Sequence, residues 1–339
     1  MTRTGYGQTV RFIDLFCGIG GFRTAAEQAI ASRGFKSECV FSSDIDVFAQ
    51  KAYEANYGEK PVGDITKVNE KDIPDHDLLL AGFPCQPFSI IGEMKGLEDT
   101  RGTLFFDIAR ILKEKKPQAF ILENVKQLAG HDKGRTMKII LSVLTNLGYT
   151  VEYKVLNALN FGLPQKRERV FIVGYLGLMT SPFPWMKEKL PMKPLSEILE
   201  QEVSPKHYVS ESIRKKRLAA HTPKHYPSIW HENKSKNITS YPYSCALRAN
   251  ASYNYLLVNG ERRLTPREML RLQGFPDSFK IVVSDAQTRK QAGNSLPIPV
   301  ARSVIEQMLD VMYRKTPKTK KAQDDFIIRE VGLEEVVTR

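Results

Sequence analysis

The 339-residue chain has no uninterrupted apolar run of the roughly 18 residues that a membrane-spanning helix needs. Residues 1–8 are polar and lack the apolar core of a signal peptide. Its four cysteines, Cys17, Cys39, Cys85 and Cys245, lie far apart, without the CxxC or Cys/His spacing of a zinc site. We therefore expect no metal, no disulfide framework and no membrane, in a protein of the reducing cytoplasm where a thiol stays free to react.

Acidic residues are in the minority, with 38 Asp and Glu against 50 Lys and Arg, for a net charge of +12. A pI near 9.4 favours polyanionic partners, although many basic proteins bind no nucleic acid. The composition, 42% hydrophobic and 26% charged, is typical of a folded globular protein. The length suffices for one large domain and a smaller one.

Apolar strand patterns alternate with helical patterns over the first half of the chain. This alternation predicts an α/β fold with a mostly parallel sheet covered on both faces. The predicted strands are 10–16, 39–42, 77–81, 119–122, 151–155 and 169–175, and the intervening helices include 22–31 and 135–147.

The pattern changes after Tyr175. Residues 176–261 are rich in Pro, Ser, Asn, His, Tyr and Lys and have weak periodicity, which indicates a separate, irregular module. A helix is predicted from Thr265, a capping residue that Pro266 and Glu268 follow, to Gly274. We expect one domain from 1–176 and 285–315, whose last helix is 299–313, a second domain from 177–284, and a basic linker and tail at 316–339.

A glycine-rich turn follows the first predicted strand, with Gly18, Gly20 and Gly21. Glycines let the backbone turn sharply and approach a ligand at the carboxyl end of a strand. Asp44, at the end of the second strand, suits the hydroxyl groups of a ribose. The turn thus favours a nucleoside-type cofactor, while an ordinary tight turn before a helix remains an alternative.

Cys85 is a candidate nucleophile. It follows the strand that ends at Ala81 and stands between Pro84 and Pro87, which stiffen the backbone and block a helix. A thiol there would lie at the sheet edge where α/β proteins bind ligands. The alternative is a buried core cysteine.

Glu123 ends the strand 119–122 and could face Cys85 from an adjacent strand end. Burial would hold its carboxyl group partly protonated, as an acid requires, although the group could instead cap the next helix. Arg167 and Arg169 alternate with Glu168, which would point both arginines to one face as a carbonyl or phosphate clamp. A solvated surface pair is the alternative.

These segments resemble the DNA cytosine-C5 methyltransferase family, and most of all its bacterial restriction–modification branch. The resemblance covers nearly the whole chain, and its blocks stand in the family's order, with a variable recognition region between the fourth and the fifth. The blocks are FIDLFCGIGGF at 12–22, GFPCQPFS at 82–89, ENV at 123–125, QKRER at 165–169, RLTPRE at 263–268, LQGFP at 272–276 and QAGNS at 291–295.

The resemblance implies a Rossmann-like S-adenosylmethionine-dependent fold with a smaller target-recognition domain, and S-adenosylhomocysteine as product. Phe16 would stack on the adenine, Asp44 would bind the ribose, and Asp64 would bind the adenine amino group. In the catalytic set of Cys85, Glu123, Arg167 and Arg169, Cys85 would attack C6 of cytosine. The implied cofactor-binding residues are Phe16, Gly18, Gly20, Gly21, Asp44, Ile45, Asp64, Ile65, Pro84 and Asn294.

The implied substrate is double-stranded DNA with one cytosine flipped out, in a short specific sequence that residues 177–284 would read. Ile91 occupies a position that some members fill with a polar residue inserted into the duplex, so the residue that fills the gap here stays open. A monomer is expected, with a cognate restriction endonuclease that acts on the same site without being bound. The DNA-binding residues would be Gln86, Ser89, Ile91, Arg101 and Arg248.

Two other functions are open to a chain of this sequence. A tRNA cytosine-C5 methyltransferase would keep the fold and change the substrate, but the long irregular segment and the Pro84-Cys85-Gln86-Pro87 sequence favour DNA. A nucleotide-binding oxidoreductase or regulator would use the glycine-rich turn without Cys85. That interpretation leaves the second to seventh blocks unexplained.

Overall fold

The computed structural model describes residues 7–84, 104–179, 181–186 and 190–313. Strands and helices alternate through the first half, as the sequence predicts. They are β1 (Thr9–Leu15), α1 (Gly21–Ser32), β2 (Lys36–Ser43), α2 (Val47–Tyr57), β3 (Leu78–Gly82), α3 (Leu104–Lys115), β4 (Ala119–Val125), α4 (Gln127–Gly130), α5 (Arg135–Asn146), β5 (Tyr149–Asn157), β6 (Gln165–Lys166) and β7 (Glu168–Leu176).

The second half contributes short strands and further helices. They are α6 (Glu211–Ala220), β8 (Ile229–Glu232), β9 (Ile238–Tyr241), β10 (Ser244–Cys245), β11 (Leu256–Val258), α7 (Pro266–Gln273), α8 (Asp285–Asn294) and α9 (Ile298–Tyr313). Among the described helices, none combines the length and the apolar character needed to cross a membrane.

The central sheet has the strand order β2-β1-β3-β4-β7-β5. Strands β2, β1, β3 and β4 are parallel, and β7 is antiparallel to both of its neighbours. This confirms the predicted α/β fold with a mostly parallel sheet. Because β1, β3 and β4 are adjacent and parallel, their carboxyl ends meet at one edge of the sheet.

Both faces of the sheet are buried, which explains the continuous apolar runs of the strands. In β1, Val10 and Phe12 belong to one hydrophobic cluster, which includes residues of α1 and α9. Ile13 and Leu15 belong to a second cluster, which includes residues of α3 and α5. Side chains of a strand alternate between the two faces, so β1 contributes to both layers.

The last described helix returns to the first. α9 packs on α1, whose small residues Ala25, Ala26 and Ala29 are buried in the same cluster as Val304 and Met308. Outside this apolar contact, the Arg33 guanidinium donates two hydrogen bonds of 2.9 Å to the Asp310 carboxylate. The helical layer on this face of the sheet thus combines residues from both ends of the described chain.

Residues 177–284 are more ordered than their composition predicts. Strands β11, β8 and β9 form an antiparallel sheet around the buried Trp230, and β10 pairs with β6. The predicted capping box of α7 is confirmed: Thr265 Oγ1 accepts from the Glu268 amide, and the Glu268 carboxylate accepts from the Thr265 amide. The first hydrophobic cluster continues into this segment without a break.

Candidate active site

The turn after β1 lies at the carboxyl edge of the sheet and has a left-handed backbone. Phe16, Gly18 and Gly20 have φ values of 54°, 55° and 84°. A Cβ atom on Gly20 would collide with the ring of Tyr57, and one on Gly21 would lie 2.9 Å from Ser295 Oγ. Glycine is therefore required at position 20 by backbone conformation and by close packing, whereas Gly21 leaves little room for a side chain beside Ser295.

Asp44, at the end of β2, holds this turn in place. Its Oδ2 accepts a 2.7 Å hydrogen bond from the Gly18 amide and its Oδ1 a 2.8 Å bond from the Asp46 amide. Burial raises the pKa of Asp44 in spite of these amide donors. Each carboxylate oxygen keeps a second lone pair, so Asp44 can still accept from a ligand hydroxyl.

A cavity of about 490 Å³ lies between this turn, the ends of β3 and β4, and α8. Its volume is in the range of small-molecule sites. Of the predicted cofactor residues, those that line it are Phe16, Gly18, Gly21, Asp44, Ile45, Pro84 and Asn294.

Three predicted cofactor residues do not line this cavity. Gly20 packs behind the turn against Tyr57. The Asp64 carboxylate instead accepts hydrogen bonds from the amide and the hydroxyl of Thr66, at 3.1 and 2.7 Å. The Ile65 side chain is buried in the second hydrophobic cluster.

Asp14 is a cavity residue to which the sequence reasoning gave no role. It is fully buried at the carboxyl end of β1, and within the described residues neither carboxylate oxygen makes a hydrogen bond of normal geometry. Burial raises its pKa to about 8, against the opposing effects of the guanidinium and backbone of Arg23. A carboxyl group so placed suits a cationic ligand group that would supply the missing partner.

Glu123 and Arg169 form a buried pair on the other side of the cavity. Glu123 stands opposite Gly82 in the β3–β4 register, and its Oε1 lies 3.0 Å from Arg169 Nε. Burial raises the pKa of Glu123, while the nearby Arg169 and Arg167 guanidinium groups oppose that rise. The raised pKa makes this carboxyl group a better proton donor to a ligand than an exposed glutamate would be.

Pro84 lines the cavity directly before the candidate nucleophile in the chain. The preceding residue is fixed by Asn124, whose Nδ2 donates a 2.9 Å hydrogen bond to the Phe83 carbonyl oxygen. Cys85 itself, with Gln86, Ser89, Ile91 and Arg101, lies outside the described residues.

Arg169 lines the cavity and Arg167 does not, and the predicted arginine clamp stays a prediction. Arg167 stands between β6 and β7, where strand alternation does not apply, and its side chain is fully buried. Its guanidinium donates to the carbonyl oxygens of Leu247, Gly293 and Ser295. These contacts give Arg167 a structural role, and it does not line the cavity.

Two further contacts tie α8 to the start of α2 at the rim of the cavity. Lys290 Nζ lies 2.7 Å from Asp46 Oδ2, and Gln291 Nε2 donates a 2.9 Å hydrogen bond to the Phe48 carbonyl oxygen. Gln291 belongs to the QAGNS block, so the sequence could have indicated this wall of the cavity, but it gave a role only to Asn294. In the part of the chain that the structure describes, no group of three or more His, Cys, Asp or Glu residues could hold a metal ion.

The fold and the cavity define an α/β enzyme of the S-adenosylmethionine-dependent methyltransferase class, with an acid–arginine pair at the cavity. The chain belongs to the C-5 cytosine-specific DNA methylase family, whose sequence model matches residues 10–310. Membership of this family confirms the predicted resemblance and implies the use of S-adenosylmethionine.

Similar proteins are known in bacteria. The chain is 57% identical over 291 residues to Type II methyltransferase M.NgoBI of Neisseria gonorrhoeae, covering 85% of this chain and 89% of that protein. It is 55% identical over 313 residues to Type II methyltransferase M.HaeII of Haemophilus aegyptius, covering 91% and 96%. The Dnmt2 methyltransferase of S. pombe has the same fold, with a TM-score of 0.68 at 22% identity over 90% of this chain and 99% of that one.

Proposed function

We propose that the chain transfers a methyl group from S-adenosylmethionine to C5 of a flipped-out cytosine in a short specific duplex DNA sequence. Cys85 would be the covalent nucleophile, and methylation would protect the DNA within a restriction–modification system. The observation that carries this proposal is the buried Glu123–Arg169 pair at the same cavity as Pro84, the residue before Cys85. The names of the two bacterial relatives support the restriction–modification role.

The cavity fits the cofactor that this reaction requires. Phe16 offers an aromatic ring for the adenine, and Asp44 has lone pairs for the ribose hydroxyls. Asp14 supplies a buried carboxyl group for a cationic part of the cofactor, and Asn294 lines the cavity from α8. The bound cofactor would supply an electrophilic methyl group. The other predicted cofactor contacts, from Asp64 and Ile65, remain proposals.

The chemistry of cytosine explains why a thiol and an acid are needed together. C5 is a poor nucleophile until a group adds to C6. The Cys85 thiolate would form a bond to C6 while Glu123 donates its proton to N3, and Arg169 would donate a hydrogen bond to O2. The electron pair displaced toward C5 lets that carbon take the methyl group, and loss of the C5 proton then expels Cys85.

A base inside a duplex cannot present C6 to a thiol, so the cytosine must leave the helix at a cost of a few kcal/mol. Gln86, Ser89, Ile91 and Arg101 remain the proposed contacts around the flipped base, and the exposed Arg248 remains a proposed DNA-binding residue. We further propose that the protein acts as a monomer in the bacterial cytoplasm. A cognate endonuclease would cut the same unmethylated site without being bound.

Bisulfite sequencing of DNA methylated by the purified protein would identify the target cytosine and its sequence. A duplex with 5-fluorocytosine at that position has no C5 proton to lose, so a covalent protein–DNA adduct should accumulate. Cys85→Ser should form no adduct and show no turnover. Glu123→Gln should lower the single-turnover rate by about 10²- to 10⁴-fold and keep its affinity for S-adenosylhomocysteine.

Glu168→Gln is the matched control, because Glu168 is more exposed and pairs with Lys126 outside the cavity. Its turnover should equal that of the unchanged protein. Full turnover by Cys85→Ser would contradict the mechanism, and methyl transfer to tRNA in preference to duplex DNA would contradict the proposed substrate.

A further inference from the structure

Three arginines converge on two tyrosines in the described part of the chain. The Arg289 guanidinium carbon lies 4.5 Å from the centre of the Tyr253 ring, and that of Arg263 lies 5.7 Å from the same ring. The Arg248 guanidinium carbon lies 4.8 Å from the centre of the Tyr255 ring. We call these five residues the arginine–tyrosine patch. Its outer ring, Tyr253, is 54% exposed.

The charges of the patch lack carboxylate partners. Most arginines of the described residues lie within ion-pairing distance of an Asp or Glu, as Arg262 does with Glu268. Within the same ranges, Arg248, Arg263 and Arg289 form no ion pair with a carboxylate. Because most of the other described arginines pair with a carboxylate, three unpaired cations left together indicate an anionic ligand.

Hydrogen bonds orient the guanidinium groups of Arg263 and Arg289 but do not use all of their N–H donors. Arg289 Nη2 donates to the carbonyl oxygens of Ala251 and Ser252, and Arg263 Nε donates a 3.1 Å bond to Asn254 Oδ1. Nη1 of Arg289 and both Nη atoms of Arg263 have no partner among the described residues. Stacking on a ring holds a guanidinium group in one orientation, so little side-chain freedom is lost when it binds a ligand.

A concave pocket of about 190 Å³ adjoins the patch and includes Tyr253, Arg263 and Arg289 in its walls. It also contains Lys206 and Asp285, whose charged atoms lie 2.7 Å apart and balance each other. The two arginines therefore leave the pocket with a net positive charge. Its size and charge suit a group such as a phosphate.

The patch borders the candidate active site. Arg248 follows Leu247, whose carbonyl oxygen accepts from Arg167, and Arg289 precedes Lys290, which lines the cofactor cavity. The backbone of Ala249 lies so close to Gly293 that a Cβ atom on Gly293 would collide with it. The patch and the candidate active-site cavity are thus connected by the packed backbone of Ala249 and Gly293.

We infer that the arginine–tyrosine patch and its adjoining pocket bind backbone phosphates of the duplex beside the target cytosine. This inference rests on the proposed function, because it takes the polyanion to be duplex DNA. A guanidinium group matches the oxygens of a phosphate in a two-bond geometry. Contacts of this kind carry no sequence information, so Arg263 and Arg289 position the duplex and leave its sequence to be read elsewhere.

The test compares the double variant R263Q/R289Q with a control, K113Q/K138Q, that loses the same charge. Lys113 and Lys138 are exposed on α3 and α5, away from the patch. Binding of labelled duplexes, with and without the target sequence, is measured by fluorescence anisotropy over a range of salt concentrations. Thermal unfolding and the Kd for S-adenosylhomocysteine establish that each variant is folded.

The double variant should bind both duplexes roughly 10- to 100-fold more weakly, whereas the control should match the unchanged protein. The slope of log Kd against log salt should fall by about 0.9 for each phosphate that the variant no longer neutralises, so by about two. R263K/R289K keeps both charges and should recover most of the slope. Arg248 is exposed, and R248Q should lower the slope of log Kd against log salt by about one. This single variant tests the patch again even if the double variant unfolds.

Equal affinities and slopes for R263Q/R289Q and the control would overturn the inference. So would a weakening confined to the duplex with the target sequence, because it would make these arginines readers of bases. If the unchanged protein methylates no duplex DNA, the proposed function fails instead, and that result is visible before any variant is compared.

Discussion

Asp14 and Glu123 are two buried carboxyl groups of one cavity, and their surroundings suit them to different tasks. Glu123 has Arg169 3.0 Å away, a cation that opposes the rise in its pKa. Asp14 lies at the carboxyl end of β1, and within the described residues neither of its oxygens makes a hydrogen bond of normal geometry. Environments that differ in this way separate the roles of like groups. Glu123 is suited to donate a proton, and Asp14 to meet a positive charge.

Replacing Asp14 by asparagine should change how the stability of the cofactor-free protein depends on pH. Burial raises the pKa of Asp14 from 3.8 to about 8. Between these values the unfolded chain has released the proton while the folded protein still holds it. Raising the pH through this window therefore lowers the free energy of unfolding. An asparagine side chain cannot titrate, so the Tm of Asp14→Asn relative to the unchanged protein should rise steadily from pH 5 to pH 8.

Thermal unfolding at four or five pH values in this window would measure the effect. Asp75→Asn is the control, because it makes the same substitution at a highly exposed carboxyl group. A Tm difference between Asp14→Asn and the unchanged protein that stays constant with pH would contradict the expectation.

At the scale of elements, Arg167 links segments that are distant in the chain. It lies between β6 and β7 and donates to carbonyl oxygens before Arg248 and at the end of α8. The same α8 is tied to α2 by Lys290 and Gln291. One wall of the cavity therefore depends on side-chain hydrogen bonds, most of them to backbone carbonyl groups.

Arg167→Met should destabilise the protein and weaken cofactor binding together. Three buried carbonyl oxygens would lose their donor, at a combined cost of about 3 kcal/mol or more in the free energy of unfolding. Urea unfolding and the Kd for S-adenosylhomocysteine measure the two effects, and Lys166→Met, at an exposed neighbour, is the control. Normal stability with no methyl transfer would instead indicate a catalytic Arg167.

Much of this element structure is visible in the sequence, and the exceptions have physical reasons. The strands of the central sheet are buried on both faces, so their apolar runs predict them well. Strands β8 to β11 have two to four residues, too few for a period of two to stand out. α8 has few apolar residues and is held largely by polar contacts, which leave no amphipathic pattern.

The candidate site, too, is predictable from the sequence only in part. Asp44, Glu123 and Arg169 were predicted because each stands at or beside a strand end, where topology alone brings residues together. Asp14 was missed because a carboxyl group inside an apolar strand has no signal beyond its burial. The placement of Arg167 does not follow from the sequence, because the break between β6 and β7 interrupts the strand alternation there.

For the whole molecule, the continuous first cluster means that residues 177–284 should not unfold alone. Both tryptophans, Trp185 and Trp230, lie in this segment, while most of the helical residues described lie outside it. Tryptophan fluorescence and far-ultraviolet circular dichroism should therefore report one coincident thermal transition. S-adenosylhomocysteine should raise both midpoints equally. An earlier fluorescence transition would show that the segment is an independent unit.

The packing of α9 on α1 also has a consequence for how the protein is made. Ribosomes add roughly 5–20 residues per second, so about 15 to 55 seconds separate the synthesis of α1 from that of α9. During this interval the alanine face of α1 has no final cover, and the cofactor cavity lacks the wall that α8 provides. A nascent chain thus acquires its cofactor site only near the end of translation. Until then, the exposed face of α1 is a surface that chaperones can bind.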